Sequence, residues 1–261
     1  MHVANEPASE SAASKHRPTE RPLLEPPRIR RPDEGERPTT WLEFFFDLVF
    51  VVAIDQVARR LQHEVTGPDA IVYVALYAPV WWAWVGFVLY TDRFGTDDLS
   101  DRFMTLLQIG AALVIAAAAS EATAQRASAF AAGYGAFRLI LAVRYAVAAH
   151  YVREAQRECT RQSAGFALAA FIWIASAIAP SPWRFWMWGA GLSVDLLTPF
   201  ASPRLHQIVP PDAGHIEERF GTFINITLGE GLVGLVEAMR DHQWHASGCS
   251  GTSRSQAAWL R

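Results

Sequence analysis

Three carboxylates lie in a stretch, residues 41–56, that is otherwise apolar enough to enter a membrane: Glu43, Asp47 and Asp55. An acidic side chain at the centre of a membrane helix costs on the order of 2.5–3.5 kcal/mol, so such groups usually face a protein interior, pair with a cation or serve a transport path. Glu43 and Asp47 are four residues apart and share a helix face, with Asp55 about 80° further round. These residues therefore predict either structural pairing with neighbouring helices or cation binding and proton relay.

Arg138 and Arg144 are the obvious partners for such acids, because both lie within another apolar stretch. Six residues apart on a helix, they point about 120° away from each other. They cannot both meet the same neighbouring helix. We expect one of them to form a structural ion pair inside the protein and the other to extend toward an interface.

Arg219 and Glu230 are charged positions toward the end of the apolar region, 11 residues apart. On one helix they would share a face within about 20° but lie about 16 Å apart along the axis, so each needs a partner from another helix. The glycines around Glu230 would let a backbone or a substrate approach it closely. Asp195 is a further acid in an apolar stretch, and the sequence indicates no partner for it.

A metal site or an enzyme centre is not indicated. His206, His215, Glu217 and Glu218 lie close together in the sequence, but their spacing matches no HExxH pattern. Acids in the first turn of a helix are explained by its positive N-terminal end. There is no glycine-rich phosphate loop and no nucleophile in a recognisable elbow, so we expect no metal and no cofactor, and we favour a protein that is not an enzyme.

The elements that must position these charges are membrane helices. A bilayer core about 30 Å thick needs roughly 20 mostly apolar residues per helix. Residues 41–239 consist of such apolar blocks, whereas residues 1–40 are rich in proline and arginine and predict a disordered tail. The fold class is therefore all-α, a multi-pass transmembrane helix bundle. Seven spans are predicted: Trp41–Arg60, Ala70–Tyr90, Phe103–Ser120, Ala129–Val152, Ala164–Ala179, Phe185–Ala201 and Arg219–Met239.

Charge in the loops predicts the orientation and the partners. With the N-terminus in the cytoplasm, ten loop and tail arginines fall inside and four outside, which favours that orientation. The net charge of -3 and the scattered arginines argue against binding nucleic acid. From residue 240 to residue 261 the apolar pattern stops, and we expect an unstructured segment that is out of frame or the product of a truncated gene.

Two stretches resemble the signatures of a known family. The segments WLEFFFDLVFVVAI at residues 41–54 and HIEERFGTFINITLGE at residues 215–230 are similar to those of the bacterial low temperature requirement A family, and the resemblance runs from about Pro38 to Val236. It implies a bacterial multi-pass inner-membrane protein, named for growth in the cold, in a family whose molecular activity is not established. It also implies further membrane helices beyond this chain, and Asp55 is not part of the pattern. The positions that carry over are Glu43, Phe45, Phe46, Asp47, Glu218, Arg219, Gly221, Gly229 and Glu230.

Three functions stay open at this point. The first is a transporter or channel-like protein in which Asp47 and Glu230 face a common polar cavity that takes a small cation or a proton. The second is a membrane-embedded enzyme that acts on a lipid or quinone, with these acids as general acid and base. The third is a sensor or scaffold that responds to the state of the bilayer. The polar interior or ion pathway would be built from Glu43, Asp47, Asp55, Arg138, Arg144, Asp195, Glu218, Arg219 and Glu230.

Overall fold

The computed structural model describes residues 26–29, 39–59 and 67–255, and over those residues the regular secondary structure is entirely helical. Most of the predicted N-terminal tail, residues 1–25 and 30–38, lies outside the described residues. The α-helices in chain order are α1 Trp41–Ala58, α2 Gly67–Phe94, α3 Leu99–Ala119, α4 Ala127–Tyr151, α5 Gln156–Ser176, α6 Trp183–Leu197, α7 Leu205–Ile208 and α8 Ala213–Ser255.

Side-chain caps fix where two of these helices begin. At α1 the Thr40 hydroxyl accepts from the backbone N–H of Glu43 at 3.3 Å, and the Glu43 carboxylate accepts from the backbone N–H of Thr40 at 2.9 Å. This reciprocal pair is a capping box, which satisfies two backbone donors that the first turn leaves unpaired. At α3 the Asp98 carboxylate accepts from the backbone N–H groups of Ser100 and Asp101.

Three of the described helices, α2, α3 and α4, are long and apolar enough to cross a membrane. The other predicted spans do not reach that standard: α1 carries three carboxylates in 18 residues, and α6 is only 15 residues long. The prediction of a membrane helix bundle is therefore confirmed in its helical character and its candidate spans. The prediction of seven spans is not confirmed.

The main core is shared by α1, α2, α3 and α4, and both α3 and α5 pack against α4. Its centre is aromatic: the rings of Phe46 and Phe87 stack with centroids 3.6 Å apart, and Phe50 meets Phe137 edge-on. Gly135 brings α4 close to α5, because a Cβ at that position would lie 3.1 Å from the carbonyl oxygen of Ala170. A small residue at a helix contact permits this approach, as is usual in membrane bundles.

The outer faces of the helices keep large apolar side chains exposed. Examples on α3, α4 and α8 are Leu106, Leu113, Leu139, Val143, Leu228 and Leu232. A water-soluble surface rarely carries so many apolar side chains, whereas lipid tails solvate them. The helix α8 continues past Met239 to Ser255. This differs from the unstructured segment that the sequence predicted for residues 240–261, of which residues 256–261 lie outside the described part.

Candidate functional site

A buried ion pair joins the first and last helices. Arg219 of α8 donates from Nη2 to Oδ1 of Asp47 in α1 at 2.8 Å, and both side chains are at most 2% exposed. The Glu43 carboxylate, one helical turn before Asp47, lies 3.9 Å from Nη1 of the same guanidinium. The sequence indicated an arginine partner for this acid, with Arg138 and Arg144 as the obvious ones. The structure supplies Arg219 instead.

The second helix completes this centre with two polar side chains. Trp84 donates from its indole Nε1 to Oδ1 of Asp47 at 2.7 Å, and Arg219 donates from Nη1 to the Thr91 hydroxyl at 3.2 Å. The Trp84 ring also stacks on Phe223 of α8, with centroids 4.1 Å apart. The Asp47–Arg219 centre, defined as Glu43, Asp47, Trp84, Thr91 and Arg219, therefore ties α1, α2 and α8 together by both hydrogen bonds and packing.

A small polar cavity reaches this centre from one end of the bundle. It has a volume of about 10 Å³ and lies where the start of α1, the end of α2 and the start of α3 meet. Glu43 and Thr91 line its inner side, and Asp97, Asp101 and Arg102 line its outer side. A cavity of that size accommodates about one water molecule. Glu43 thus lies between an acid-lined cavity and the guanidinium that holds Asp47.

Asp195 of α6 forms a second buried ion pair, with Arg138 of α4. The Arg138 Nε lies 2.7 Å from Oδ2 of Asp195, and both side chains are fully buried. Tyr134 donates from its hydroxyl to the same carboxylate oxygen at 2.6 Å and accepts from the Arg138 guanidinium. Asp195 therefore has the partner that the sequence did not indicate. None of the residues that line the small cavity beside the Asp47–Arg219 centre belongs to this pair. Its residue types and burial suit a structural role.

Arg144 is also buried and paired, one and a half turns further along α4. It forms an ion pair with Asp101 of α3 and donates from Nη1 to the side-chain oxygen of Gln108 at 2.7 Å. Its guanidinium lies over the Tyr90 ring, 4.5 Å from the centroid. The prediction that Arg138 or Arg144 extends to an interface is therefore wrong, because a separate helix supplies an acid to each.

Three other sequence candidates lie apart from these pairs. Asp55 forms a salt bridge with Arg59 one turn later at 2.8 Å, on the more accessible side of α1. Glu218 and Glu230 are exposed on α8. Glu230 therefore does not share an interior with Asp47, in contrast to the prediction. The axial distance explains this result: Glu230 is about three turns beyond Arg219, where α8 has left the other helices.

The last turn of α2 contains polar residues that the sequence analysis missed. Asp92 accepts from His215 Nδ1 and from the backbone N–H of Asp212, both at 3.0 Å, and so anchors the start of α8. Arg93 lies 2.9 Å from His206 of α7, and burial together with Arg93 lowers the pKa of His206. The only signal in the sequence is that Thr91, Asp92 and Arg93 directly follow a predicted span without charge. Their partners cannot be read from the sequence, because each lies more than 100 residues away.

The histidines that raised a metal interpretation each have another partner. His215 pairs with Asp92 and His206 contacts Arg93, while Glu217 and Glu218 are exposed. Within residues 26–29, 39–59 and 67–255, no three His, Cys, Asp or Glu side chains are grouped closely enough to hold a metal ion.

Comparison with known proteins gives a family match and a distant relative. A family model described as bacterial low temperature requirement A protein matches residues 38–255, which extends past Val236, where the resemblance was expected to end. An uncharacterized protein of Rhizobium meliloti (strain 1021) is 25% identical over 216 residues, which is 78% of this chain and 52% of the relative. The chain thus spans about half the length of that curated relative. No solved structure matches.

Proposed function

Since this chain belongs to the bacterial low temperature requirement A family, we propose that it is a multi-pass protein of the bacterial inner membrane that moves protons through the Asp47–Arg219 centre. The family match and the candidate spans α2, α3 and α4 support its membrane character. Protons are proposed rather than a small metal cation because the cavity is lined by Glu43, a carboxylate that can take up a proton.

The observation that carries this proposal is the position of Glu43. Its carboxylate lines the small cavity on one side and lies 3.9 Å from the Arg219 guanidinium on the other. Arg219 in turn holds Asp47 at 2.8 Å. A proton taken up by Glu43 would leave Arg219 paired with Asp47 alone. Transfer of that proton from Glu43 to Asp47 would then release Arg219 from Asp47 and return it to the ionised Glu43. Two carboxylates that compete for one cation can in this way pass a change of protonation state from the cavity into the interior.

Three acidic side chains line the cavity, namely Glu43, Asp97 and Asp101. Arg102, the one basic residue of the lining, donates to Asp97 at 3.1 Å, and Arg144 forms an ion pair with Asp101. Carboxylates of this kind can exchange protons with a water molecule in the cavity. The volume of about 10 Å³ holds about one water and cannot admit a lipid headgroup or a quinone ring, so the enzyme alternative has no site here.

We propose that this end of the bundle faces the cytoplasm. The cavity lies at the start of α1, the helix that follows the N-terminal tail in the sequence, and the positive-inside rule favours a cytoplasmic tail. Protons would then reach Glu43 from the cytoplasmic side.

Proton flux into liposomes tests the proposal. The purified protein is reconstituted with a pH-sensitive dye inside the vesicles, and a potassium gradient with valinomycin sets the voltage. We expect flux above that of protein-free vesicles, its loss in Asp47→Asn, and its retention in Asp55→Asn, a matched change to a more accessible carboxylate on the same helix.

Two results would count against a proton path through this centre. One is wild-type flux equal to that of empty vesicles. The other is equal flux in the Asp47→Asn and Asp55→Asn variants, with both shown to be folded by gel filtration. The same vesicles are also given a sodium or potassium gradient in place of the proton gradient. Protein-dependent flux of that ion would identify a small cation as the carried species instead.

A further inference from the structure

Arg93 differs from the other deeply buried arginines of the described chain. Arg138, Arg144 and Arg219 each form an ion pair with a carboxylate. Arg93 is 5% exposed, yet no carboxylate of the described residues lies within ion-pair distance of it, and its Nε has no hydrogen-bond partner. A buried charge without a counter-ion costs several kcal/mol, so an arrangement of this kind calls for an anion from outside the chain.

The groups around Arg93 are neutral. A guanidinium has only donors, so the His206 Nδ1 that lies 2.9 Å from Arg93 Nη2 must be an unprotonated acceptor, and the imidazole is uncharged. The lowered pKa of His206 agrees with that state. Burial raises the pKa of the nearby Cys159 thiol to about 11, so that group does not supply a thiolate. The carbonyl end of α2 offsets only part of the positive charge.

A cavity of about 20 Å³ lies directly against this guanidinium, between α2, α4, α5 and α7. Arg93, His206 and Gln162 are its polar lining, and Trp82, Tyr145 and Phe166 are its aromatic lining. The Gln162 side chain is 3% exposed, and its Oε1 has no hydrogen-bond partner. Because the two ends of an amide exchange by a simple flip, Gln162 can turn its NH₂ group toward an anion beside Arg93.

We propose that this cavity binds a small monovalent anion of the size of chloride, held by the Arg93 guanidinium and the Gln162 amide. The volume admits one or two water-sized particles, which suits a single-atom anion and is too small for a phosphate. The site takes no residue from the Asp47–Arg219 centre, so its test does not depend on whether the protein moves protons.

Thermal unfolding of the full chain in detergent tests the site. The unfolding midpoint is measured as sodium chloride replaces sodium gluconate at constant ionic strength, so that general screening stays unchanged. A ligand that binds only the folded state raises the midpoint in a saturable way. We expect such a rise with chloride and with bromide but not with gluconate, whose size excludes it.

Two variants and one control locate the effect. Arg93→Gln removes the charge, and Gln162→Leu removes a hydrogen bond to a charged ion, which should weaken binding about tenfold or more. Arg102→Gln is the control, because that arginine is half exposed and paired with Asp97. It should keep the chloride response of the wild type.

The outcomes decide between an anion and bound water. A wild-type midpoint that does not depend on chloride would overturn the proposal, as would an unchanged response in Gln162→Leu. Should both variants fail to fold, the width of the chloride-35 NMR line in a wild-type sample decides. A line that the protein broadens, and that narrows again when bromide displaces chloride, supports the site. A line that the protein does not broaden refutes it.

Discussion

Removal of Arg138 should destabilise the protein far more than removal of an exposed arginine with an equally short salt bridge. Arg138→Met leaves the fully buried Asp195 carboxylate without the guanidinium at 2.7 Å and takes a donor from the Tyr134 hydroxyl. Breaking a buried pair by deleting one partner costs about 3–5 kcal/mol. At roughly 2–4 °C per kcal/mol for a chain of this size, the unfolding midpoint should fall by about 6–20 °C.

The control is Arg59→Met. Its salt bridge with Asp55 is 2.8 Å long, but the arginine is 50% exposed. Exposed pairs contribute about 0–1 kcal/mol, so the midpoint should move by only a few degrees. Tryptophan fluorescence of the detergent-solubilised protein follows both transitions.

A double variant separates the lost pair from the lost packing. Arg138→Met with Asp195→Leu removes both charges and leaves apolar groups, an exchange that is often neutral or stabilising in buried pairs. We expect the double variant to be more stable than Arg138→Met alone by at least about 2 kcal/mol. The reasoning is refuted if Arg138→Met costs no more than Arg59→Met, or if the double variant is as unstable as the single one.

Three further predictions concern packing, capping and pH. Gly135→Ala should lower the free energy of unfolding by about 1–3 kcal/mol, because the added Cβ would press on α5. Gly110→Ala is the control: its Cβ meets nothing within 4 Å, so it should be neutral or slightly stabilising. Thermal unfolding compares the two variants. Thr40→Ala removes one half of the capping box and should cost about 0.5–2 kcal/mol in the same assay. Because its pKa is lowered in the folded state, His206 binds protons more readily when unfolded, so its contribution to stability is present above about pH 6.5 and is lost as the pH falls below that value. The dependence of the midpoint on pH between 7 and 5 should therefore be shallower in His206→Gln, and an unchanged slope would contradict the assignment.

Energetic cost made some pairs predictable from sequence. Asp47 lies in an apolar stretch where an unpaired carboxylate is expensive, so an arginine partner was expected, and the same argument predicted a structural pair for one of Arg138 and Arg144. The identity of each partner depends on which helices are neighbours. The sequence does not state that α6 packs near α4 or that α8 returns to α1, so Asp195 and Arg219 were found only in the fold.

Other features could not be predicted because they carry no charge within a predicted span. Trp84 and Thr91 carry no charge, and Arg93 lies just past the predicted end of its span at Tyr90. Their functions as hydrogen-bond donors or acceptors depend on partners from α1, α7 and α8. Glu230 shows the opposite error, since the sequence predicted it in a common interior with Asp47 and the structure leaves it exposed on α8.

The most direct test of the proton path is the initial rate of proton flux in the Glu43→Gln variant. Glutamine keeps the size of the side chain and a hydrogen-bonding oxygen for the cap at Thr40, but it cannot take up a proton. In proteoliposomes at equal protein density, we predict that Glu43→Gln reduces the flux to that of protein-free vesicles while Asp55→Asn keeps the wild-type rate. Wild-type flux in a folded Glu43→Gln variant would contradict the assignment of Glu43 as the entry to the Asp47–Arg219 centre.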